Sequence, residues 1–215
     1  MYNEVTFTEI HKIYKGRKKG TINYVGISKI NKNMISYVYN HVRNVSQLDH
    51  KFIAKWYEWY ETYQCLWVIM ELCTTGTLER VLIEDYFLSE TLICHYGRAM
   101  VSAMNYLHKQ NIIYSDWRPN KILITDKGIA KLFDFSYARK VGEDFFEVLE
   151  SFSNEELRIS PKSISGLCRK SFQYLPIEAY ITEKLDLQTD IYGFGCLLYK
   201  MTFGKLPIFE SNEQL

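Results

Sequence analysis

The first third of the chain alternates between short apolar strands and polar turns. The segments "KIYKG" and "TINYVGI" lie on either side of a basic turn, "GRKKG", which predicts a β-hairpin near residues 12–28. "FIAKWYEWYE" and "CLWVIMEL" flank "TYQ" in the same way and predict a second pair of strands. Between the two pairs, residues 33–48 have apolar side chains at helical spacing, which predicts an amphipathic helix. These positions are Met34, Val38, Val42, Val45 and Leu48.

After Gly76 the spacing of apolar residues becomes mainly helical. Ser89 can cap a helix, and a second helix is expected around residues 189–203. Two short strands, "KILIT" and "AKLF", are joined by "DKG", a turn signal for a hairpin. Residues 140–171 are polar, with one short helical pattern and no strand signal. The apolar face predicted for the first helix consists of Leu92, Tyr96, Met100, Ala103 and Leu107.

A strand-rich part followed by a helix-rich part predicts an α+β chain with two lobes and a cleft between them. We place the small β-rich lobe at residues 1–73 and the helical lobe at residues 74–215. The helical lobe contains a long connecting segment at residues 137–175.

Six short motifs follow one another in an order that resembles a protein kinase. The resemblance assigns them to the lysine strand, the hinge, the catalytic loop, the metal aspartate, the end of the activation segment and the lobe-anchoring helix. The motifs are "VGIS" (25–28), "MEL" (70–72), "YSDWRPNK" (114–121), "DFS" (134–136), "PIE" (176–178) and "DIYGFG" (190–195). Against that family, the chain ends before the last helices of the helical lobe, so we expect a fragment of a longer protein.

A finer resemblance is to the Fused-related pseudokinases, the fourth group of the Unc-51-like kinases. It lies in "YKGRKKGTINYV", in "EWYETYQCLWVIMELCTTGTL", in "PNKILI" and in the acidic, phenylalanine-rich "KVGEDFFEVLESF". The resemblance implies a protein that binds nucleotide without a metal and that works through protein partners.

The glycine-rich loop that covers phosphates in kinases is either absent here or built differently. An ungapped reading puts Thr6, Thr8 and His11 where the family has glycines, and a second reading ends the first strand at Ile10. In both readings the first glycine of the chain is Gly16. Without glycine, backbone amides cannot approach the phosphates as closely.

The ion pair that positions the phosphates in kinases is also missing. The strand lysine is replaced by Ser28, and the helix acid that would pair with it falls at His41. Lys29 is adjacent to Ser28, but neighbouring strand residues point to opposite faces. The sequence leaves open whether Lys29 substitutes in the site or faces solvent.

The catalytic loop keeps two acids of the family. Asp116 occupies the general-base position and Asp134 the metal-aspartate position, so we take both as remnant catalytic residues. Lys121 replaces the asparagine that helps to hold the metal ion. An ammonium removes one oxygen ligand and repels Mg²⁺. We therefore expect Lys121 to pair with Asp134 or with a nucleotide phosphate, and we expect no metal site.

Other positions of the same loops also differ from the family. Ser115 replaces an arginine that receives a phosphate in many kinases, Arg118 keeps a positive charge, and Ser136 replaces a glycine. Rate enhancement in phosphoryl transfer comes from positioning and charge neutralisation. With several of these groups altered, we expect catalysis to be lost.

The resemblance implies an adenine slot with apolar walls and a hinge. Ile13, Gly26 and Leu123 match the walls, Met70 the gatekeeper, and Glu71 to Cys73 the hinge. With Lys29 and Lys121, these residues form the expected ATP site, which is expected to work without Mg²⁺.

The leading interpretation is a pseudokinase that acts as a scaffold or regulatory binding module. The alternative is an atypical active Ser/Thr kinase that uses a displaced lysine. The resemblance implies other Fused-type kinases or microtubule and ciliary proteins as partners, and a cytoplasmic, cytoskeletal or ciliary location.

The bulk composition does not change this interpretation. The net charge is +1 and 47% of the residues are hydrophobic, so nothing calls for a nucleic-acid or membrane partner. The five cysteines are scattered and odd in number, which fits reduced thiols in the cytosol.

Overall fold

The computed structural model describes residues 3–7, 11–17, 19–31, 42–44, 46–143, 173–182 and 184–207. A strand-rich part is followed by a helix-rich part, as the sequence predicts. The strands are β1 (Asn3–Phe7), β2 (His11–Arg17), β3 (Tyr24–Asn31), β4 (Trp56–Glu61), β5 (Cys65–Met70), β6 (Gly76–Thr77), β7 (Ile112–Ile113), β8 (Ile122–Ile124), β9 (Ala130–Leu132) and β10 (Arg139–Lys140). The helices are α1 (Leu78–Asp85), α2 (Glu90–His108), α3 (Ile177–Thr182) and α4 (Leu187–Phe203).

The first five strands form one antiparallel sheet in the order β1-β2-β3-β5-β4. Both predicted strand pairs are therefore confirmed, as β2–β3 and as β4–β5. Strand β1 is described over Asn3–Phe7, and Ile10, on which the second reading of the first strand depends, lies outside the described residues. The helix predicted over residues 33–48 is described only at residues 42–44, which are helical. His41 lies outside the described residues.

The longest helix is α2, and its start and its buried face follow from the sequence. The Ser89 hydroxyl accepts a hydrogen bond from the Leu92 amide, as a capping residue does. Four of the five predicted core residues of this helix are buried, but Leu92 is 38% exposed. Leu92 lies in the first turn, next to the cap, where the side chain remains at the surface.

Helix α4 also has a capped start and a defined end. Asp186 and Thr189 form a reciprocal capping box, and Gly204 ends the helix in the left-handed conformation. The predicted strands "KILIT" and "AKLF" are β8 and β9, which pair with each other. The short helix α1 was not predicted. Residues 140–171 were predicted to contain no strand, but Lys140 is the second residue of the two-residue strand β10.

The apolar core has one large cluster in the helical part and a smaller one at the sheet. The smaller cluster joins sheet residues such as Ile13 and Met70 to Leu123 of β8 and Phe133 after β9. The boundary region between sheet and helices is therefore apolar.

Glu178 is exposed, so its carboxylate is solvated. Over the described ranges, no helix is both long enough and apolar enough to cross a membrane.

Candidate functional site

Lys121 is the last residue of a short 3₁₀ turn, which comes at the end of the catalytic-loop motif and directly before strand β8. The turn covers Pro119–Lys121, with proline at the first helical position, where its missing N–H has no cost. The Tyr114 hydroxyl donates to the backbone carbonyl of Lys121 at 3.0 Å, and the Phe133 amide donates to the same oxygen at 3.2 Å. The backbone of Lys121 is thus fixed from two sides.

The Lys121 side chain forms a fully buried ion pair with Asp134. Its Nζ lies 2.6 Å from Asp134 Oδ2, and both side chains are 0% exposed. Burying two charges is expensive unless each has a close partner. Of the two partners that the sequence left open for Lys121, the structure brings Asp134 to it.

The second oxygen of Asp134 is also engaged within the chain. Asp134 Oδ1 accepts hydrogen bonds from the Ser136 amide at 3.0 Å and from the Ser136 hydroxyl at 2.5 Å. Both carboxylate oxygens therefore have donors from the protein itself. A carboxylate in this state has fewer lone pairs to offer a divalent cation.

Asp116, the remnant base position, is held by Arg118. The guanidinium donates to both Asp116 oxygens, at 2.7 Å through Nε and 2.6 Å through Nη2. Lys121 Nζ lies 3.9 Å from Asp116 Oδ2. Asp116 and Arg118 are each 4% exposed.

These four side chains balance in charge. Two carboxylates, Asp116 and Asp134, face two cations, Arg118 and Lys121, so their sum is zero. A neutral asparagine in place of Lys121 would leave a sum of −1. Lys121 therefore balances one carboxylate charge inside the chain.

Asp190 at the start of α4 anchors the catalytic loop. Its carboxylate accepts from the backbone amides of Tyr114 and Ser115 and from the Trp117 indole, at 2.8–2.9 Å. His108 Nε2 lies 2.8 Å from Asp190 Oδ2. This set of contacts places Asp116 and the following turn relative to the helical core.

Ser28 and Lys29 lie on opposite faces of β3. Ser28 is 1% exposed and pairs with the buried Val68 of β5. Lys29 pairs with Trp67, and its Nζ lies 5.5 Å from the centre of that indole ring. The structure therefore places Lys29 on the sheet face opposite to that of Ser28. Lys29 does not lie together with Ser28, the residue at the position of the kinase strand lysine.

The residues expected to form the adenine slot come together at the smaller apolar cluster. Ile13 is 3% exposed, Met70 0%, Cys73 3% and Leu123 1%. Burial raises the pKa of the Cys73 thiol to about 12. These wall side chains are thus largely shielded from solvent.

Gly26 lies directly beside the hinge. A β-carbon placed on Gly26 would lie 3.2 Å from the Glu71 carbonyl oxygen and 3.2 Å from Met70 Cγ. A side chain at position 26 would therefore crowd the backbone of the hinge. The Glu71 carboxylate accepts from Lys131 Nζ at 2.7 Å.

Sequence reasoning missed the parts played by Ser136, Tyr137, Phe133 and Lys131. Ser136 was identified only as a replaced glycine, although a hydroxyl two residues after an acid can bond to it. The ring of Tyr137 lies 5.8 Å from the Arg118 guanidinium and 5.9 Å from Lys121 Nζ. Phe133, which packs in the smaller apolar cluster, was not considered. Lys131 carries no signal in the sequence.

The residues present at Asp134 do not suit a magnesium ion. Mg²⁺ prefers oxygen ligands with net negative charge, whereas Asp134 is already paired with an ammonium and a hydroxyl. Within the described ranges, no group of three or more His, Cys, Asp or Glu side chains is arranged to hold a metal ion.

Comparisons with known proteins agree with the motif order. The protein kinase domain family matches residues 9–215. The chain is 35% identical to serine/threonine-protein kinase ULK4 of Mus musculus over 99% of its length, which is 17% of that protein. It is 31% identical to serine/threonine-protein kinase RUNKEL of Arabidopsis thaliana, again over 99% of its length and 14% of that protein.

The chain thus spans about a sixth of the length of these relatives. The expected likeness to the Unc-51-like kinases is confirmed by the match to ULK4. The β-sheet part, the helical part and the family match lead to one conclusion: this chain belongs to the protein kinase family.

Proposed function

We propose that this chain is a catalytically impaired member of the protein kinase family that binds ATP without a divalent metal. The observation that carries the proposal is the buried Lys121–Asp134 ion pair, at 2.6 Å and 0% exposure. Asp134 is the one acid of the "DFS" motif, and its charge is already neutralised. A nucleotide in this cleft would meet an ammonium where other kinases present a metal ion.

Electrostatics also favour the loss of catalysis. Removing one preorganised charge-stabilising group typically slows an enzyme about 100- to 1000-fold. Here Ser28 stands in the lysine position and Lys121 in a metal-ligand position. Asp116 is engaged on both oxygens by Arg118, which leaves less freedom for it to accept a proton from a substrate hydroxyl.

Different residues of this chain would contact different parts of the nucleotide. Ile13 and Leu123 would cover the two faces of the base, and the Glu71–Cys73 hinge would bond to its edge. Lys121 would offset phosphate charge while it stays close to Asp134. The protein would then act as a scaffold or regulatory binding module whose shape depends on bound nucleotide.

The proposal extends to partners and location. We propose association with other Fused-type kinases or with microtubule and ciliary proteins, in the cytoplasm or at the cytoskeleton or cilium. The support is the resemblance of the chain to the Fused-related group and the similarity to ULK4.

Thermal unfolding with ATP tests the nucleotide proposal directly. A ligand that binds only the folded chain raises its melting temperature. We expect ATP in EDTA to raise the melting temperature as much as ATP with Mg²⁺ does. A rise seen only with Mg²⁺, together with phosphate transfer to a protein acceptor, would support the active-kinase alternative. No rise in either condition would exclude ATP binding.

The Lys121→Asn variant tests whether the response to ATP in EDTA depends on the Lys121 side chain. Because asparagine is a neutral oxygen ligand, the charge around Asp134 becomes −1 and a divalent cation becomes favourable. We expect the ATP response of this variant to require Mg²⁺. Lys127→Asn, a change in the exposed turn between β8 and β9, serves as the matched control and should respond as the wild type does. An unchanged EDTA response in Lys121→Asn would contradict the role given to Lys121.

A further inference from the structure

Strand β4 is the last strand of the five-stranded sheet and has an open edge. It pairs with β5 on one side, and in the described part of the chain no strand pairs with its other side. At the turn, the Thr62 amide donates to the Cys65 carbonyl at 2.9 Å. Because antiparallel ladders alternate from such a pair, the backbone N–H and C=O of Trp59 point away from β5. Backbone groups along an open edge are a template for another strand.

The side chains of β4 are unusually aromatic for an exposed strand. Five of its six residues are exposed. Tyr57 is 52% exposed, Trp59 50% and Tyr60 55%. Chains usually protect a sheet edge with lysine, proline or a bulge, and β4 has only a bulge, between Trp56 and Glu58. Clustered exposed tyrosine and tryptophan side chains are typical of protein interfaces.

The charged residues of β4 are both acidic. They are Glu58 and Glu61, and the next basic residue after Lys55 is Arg80. Lys55, which directly precedes the strand, forms an ion pair with Asp49 at 3.3 Å. The edge therefore carries negative charge, which attracts a cationic partner and repels an acidic one.

One face of β4 presents a carboxylate and an aromatic ring side by side. Glu58 and Tyr60 lie two residues apart in the strand, and the Tyr60 hydroxyl donates a hydrogen bond to the Glu58 carboxylate. Their cross-strand partners on β5 are Ile69 and Trp67. The Lys29 ammonium lies 5.5 Å from the centre of the Trp67 ring, so this sheet face already holds a cation near an aromatic ring.

We propose that the open edge of β4 docks an extended, lysine- or arginine-rich segment of a partner protein, which adds to the sheet as a sixth strand. Backbone hydrogen bonds to Trp59 would fix the register of that segment. One of its basic side chains would lie against the Glu58 carboxylate and the Tyr60 ring. The inference does not depend on ATP binding, and its test needs no nucleotide.

The lysines on the same sheet face are too distant to oppose a basic partner. Neighbouring strands are about 4.8 Å apart, so about 14 Å separates Lys29 on β3 from a strand added beyond β4. Lys12 on β2 is one strand farther away. These distances exceed the screening length of about 8 Å at physiological salt. A second copy of this chain is a poorer partner, because pairing two β4 edges would bring two acidic strands together.

Three short peptides of equal length test the proposal. A repeating Lys-Thr peptide is basic and can pair as a strand. The same peptide with every backbone amide N-methylated keeps the charge but has no N–H donor. A repeating Glu-Thr peptide is acidic. Dissociation constants are measured with the full chain, and hydrogen exchange of the Trp59 amide is measured with and without each peptide.

The same measurements on variants locate the contact. The variants are Glu58→Gln and Tyr60→Thr, and threonine keeps a high strand propensity. Glu84→Gln is the matched control, because it changes the net charge as Glu58→Gln does but removes an exposed carboxylate of α1 that pairs with Arg80.

We expect the Lys-Thr peptide to bind the wild type and to slow exchange of the Trp59 amide, because that N–H becomes part of a ladder. The N-methylated and acidic peptides should bind more weakly and leave this exchange unchanged. Glu58→Gln and Tyr60→Thr should each weaken binding of the Lys-Thr peptide about 2- to 5-fold, the size of one exposed cross-strand or cation–π pair. Glu84→Gln should bind as the wild type does.

Four outcomes would overturn the proposal. Equal binding of the Lys-Thr peptide and its N-methylated form would mean attraction by charge alone. Unchanged Trp59 exchange at saturating Lys-Thr peptide would exclude strand addition at this edge. Tighter binding of the Glu-Thr peptide would refute the charge assigned to the partner. A dimer of the chain alone, with the Trp59 amide protected, would assign the edge to a second copy.

Discussion

Lys121 determines the net charge of the side chains around Asp134. It closes a buried ion pair with Asp134, and the charge of the four central side chains becomes zero. The resemblance of the loop placed Lys121 at the metal-ligand asparagine, and the sequence left two possible partners for it. It could not choose between them, because the choice depends on where β9 places Asp134 relative to the 3₁₀ turn.

Removal of the Lys121 charge should destabilise the ligand-free chain. Lys121→Met keeps most of the volume but removes the ammonium from Asp134, and breaking a buried pair costs about 3–5 kcal/mol. Urea unfolding without nucleotide should show a loss of this order. Lys55→Met, which breaks an exposed pair, should lose less than about 1 kcal/mol. Equal losses in the two variants would mean that the buried pair contributes no more than a surface pair.

Thiol reactivity gives a second prediction at this scale. Burial raises the pKa of Cys73 from 9.0 to about 12, which lowers its thiolate fraction at pH 8 about a thousandfold. Cys94 is exposed. Native chain treated with iodoacetamide should therefore be alkylated at Cys94, with Cys73 modified only after denaturation. Peptide mapping by mass spectrometry checks the order. Rapid native labelling of Cys73 would mean that the hinge opens freely.

At the scale of elements, apolar periodicity predicted most strands and helices. It succeeded for β2, β3, β5 and α2, each of which has buried positions, and also for β4, although five of the six residues of β4 are exposed. It missed α1, which is only eight residues long. It also gave no sign of the Lys131–Glu71 pair, because residues 60 positions apart meet only through tertiary structure.

Two glycines of α4 should respond in opposite ways to alanine. A β-carbon on Gly193 would lie 2.6 Å from Trp117 Cδ1 and 2.9 Å from the Tyr174 carbonyl oxygen, whereas one on Gly195 meets nothing within 4 Å. Gly193→Ala should therefore destabilise the chain by about 1–3 kcal/mol. Gly195→Ala should stabilise it by up to about 1 kcal/mol through helix propensity.

Thermal denaturation of the two alanine variants checks this contrast. Since both glycines are in the same helix, the helix propensity gain is shared and only the contacts differ. A stabilised Gly193→Ala variant would show that the catalytic loop does not pack against α4 as described.

For the whole molecule, the family resemblance predicted the two-part architecture, and the match to the protein kinase domain family confirms it. The state of the slot was beyond sequence reasoning. Ile13, Met70 and Leu123 are wall residues by motif, but their near-complete burial depends on how sheet and helices close on each other. Phe133 adds bulk at the same place. The division of the chain at residue 73 stays a prediction.

The stability of the whole molecule should depend on pH through His50. Burial, and next the charge of Lys131, lower the pKa of His50 below its ordinary value of 6.5. Between the lowered pKa and 6.5 the unfolded chain binds more protons than the folded chain, so stability rises with pH in this window. The contribution of His50 to stability is lost as the pH falls from 6.5 toward the lowered pKa.

The His50→Asn variant serves as the control for this pH dependence. Asparagine retains a side-chain acceptor for the Phe52 amide, which His50 Nδ1 accepts at 3.3 Å, but it does not titrate. Urea unfolding across the window should show a steeper rise with pH in the wild type than in the variant. Identical slopes would remove His50 as the cause.

The complete burial of Lys121 also limits which single substitutions this chain would tolerate. A variant with asparagine there would carry a charged Asp134 in a dry interior until a cation reached it, and it would fold less well in the meantime. A redesign of this cleft for a divalent cation would therefore have to provide the cation together with the asparagine.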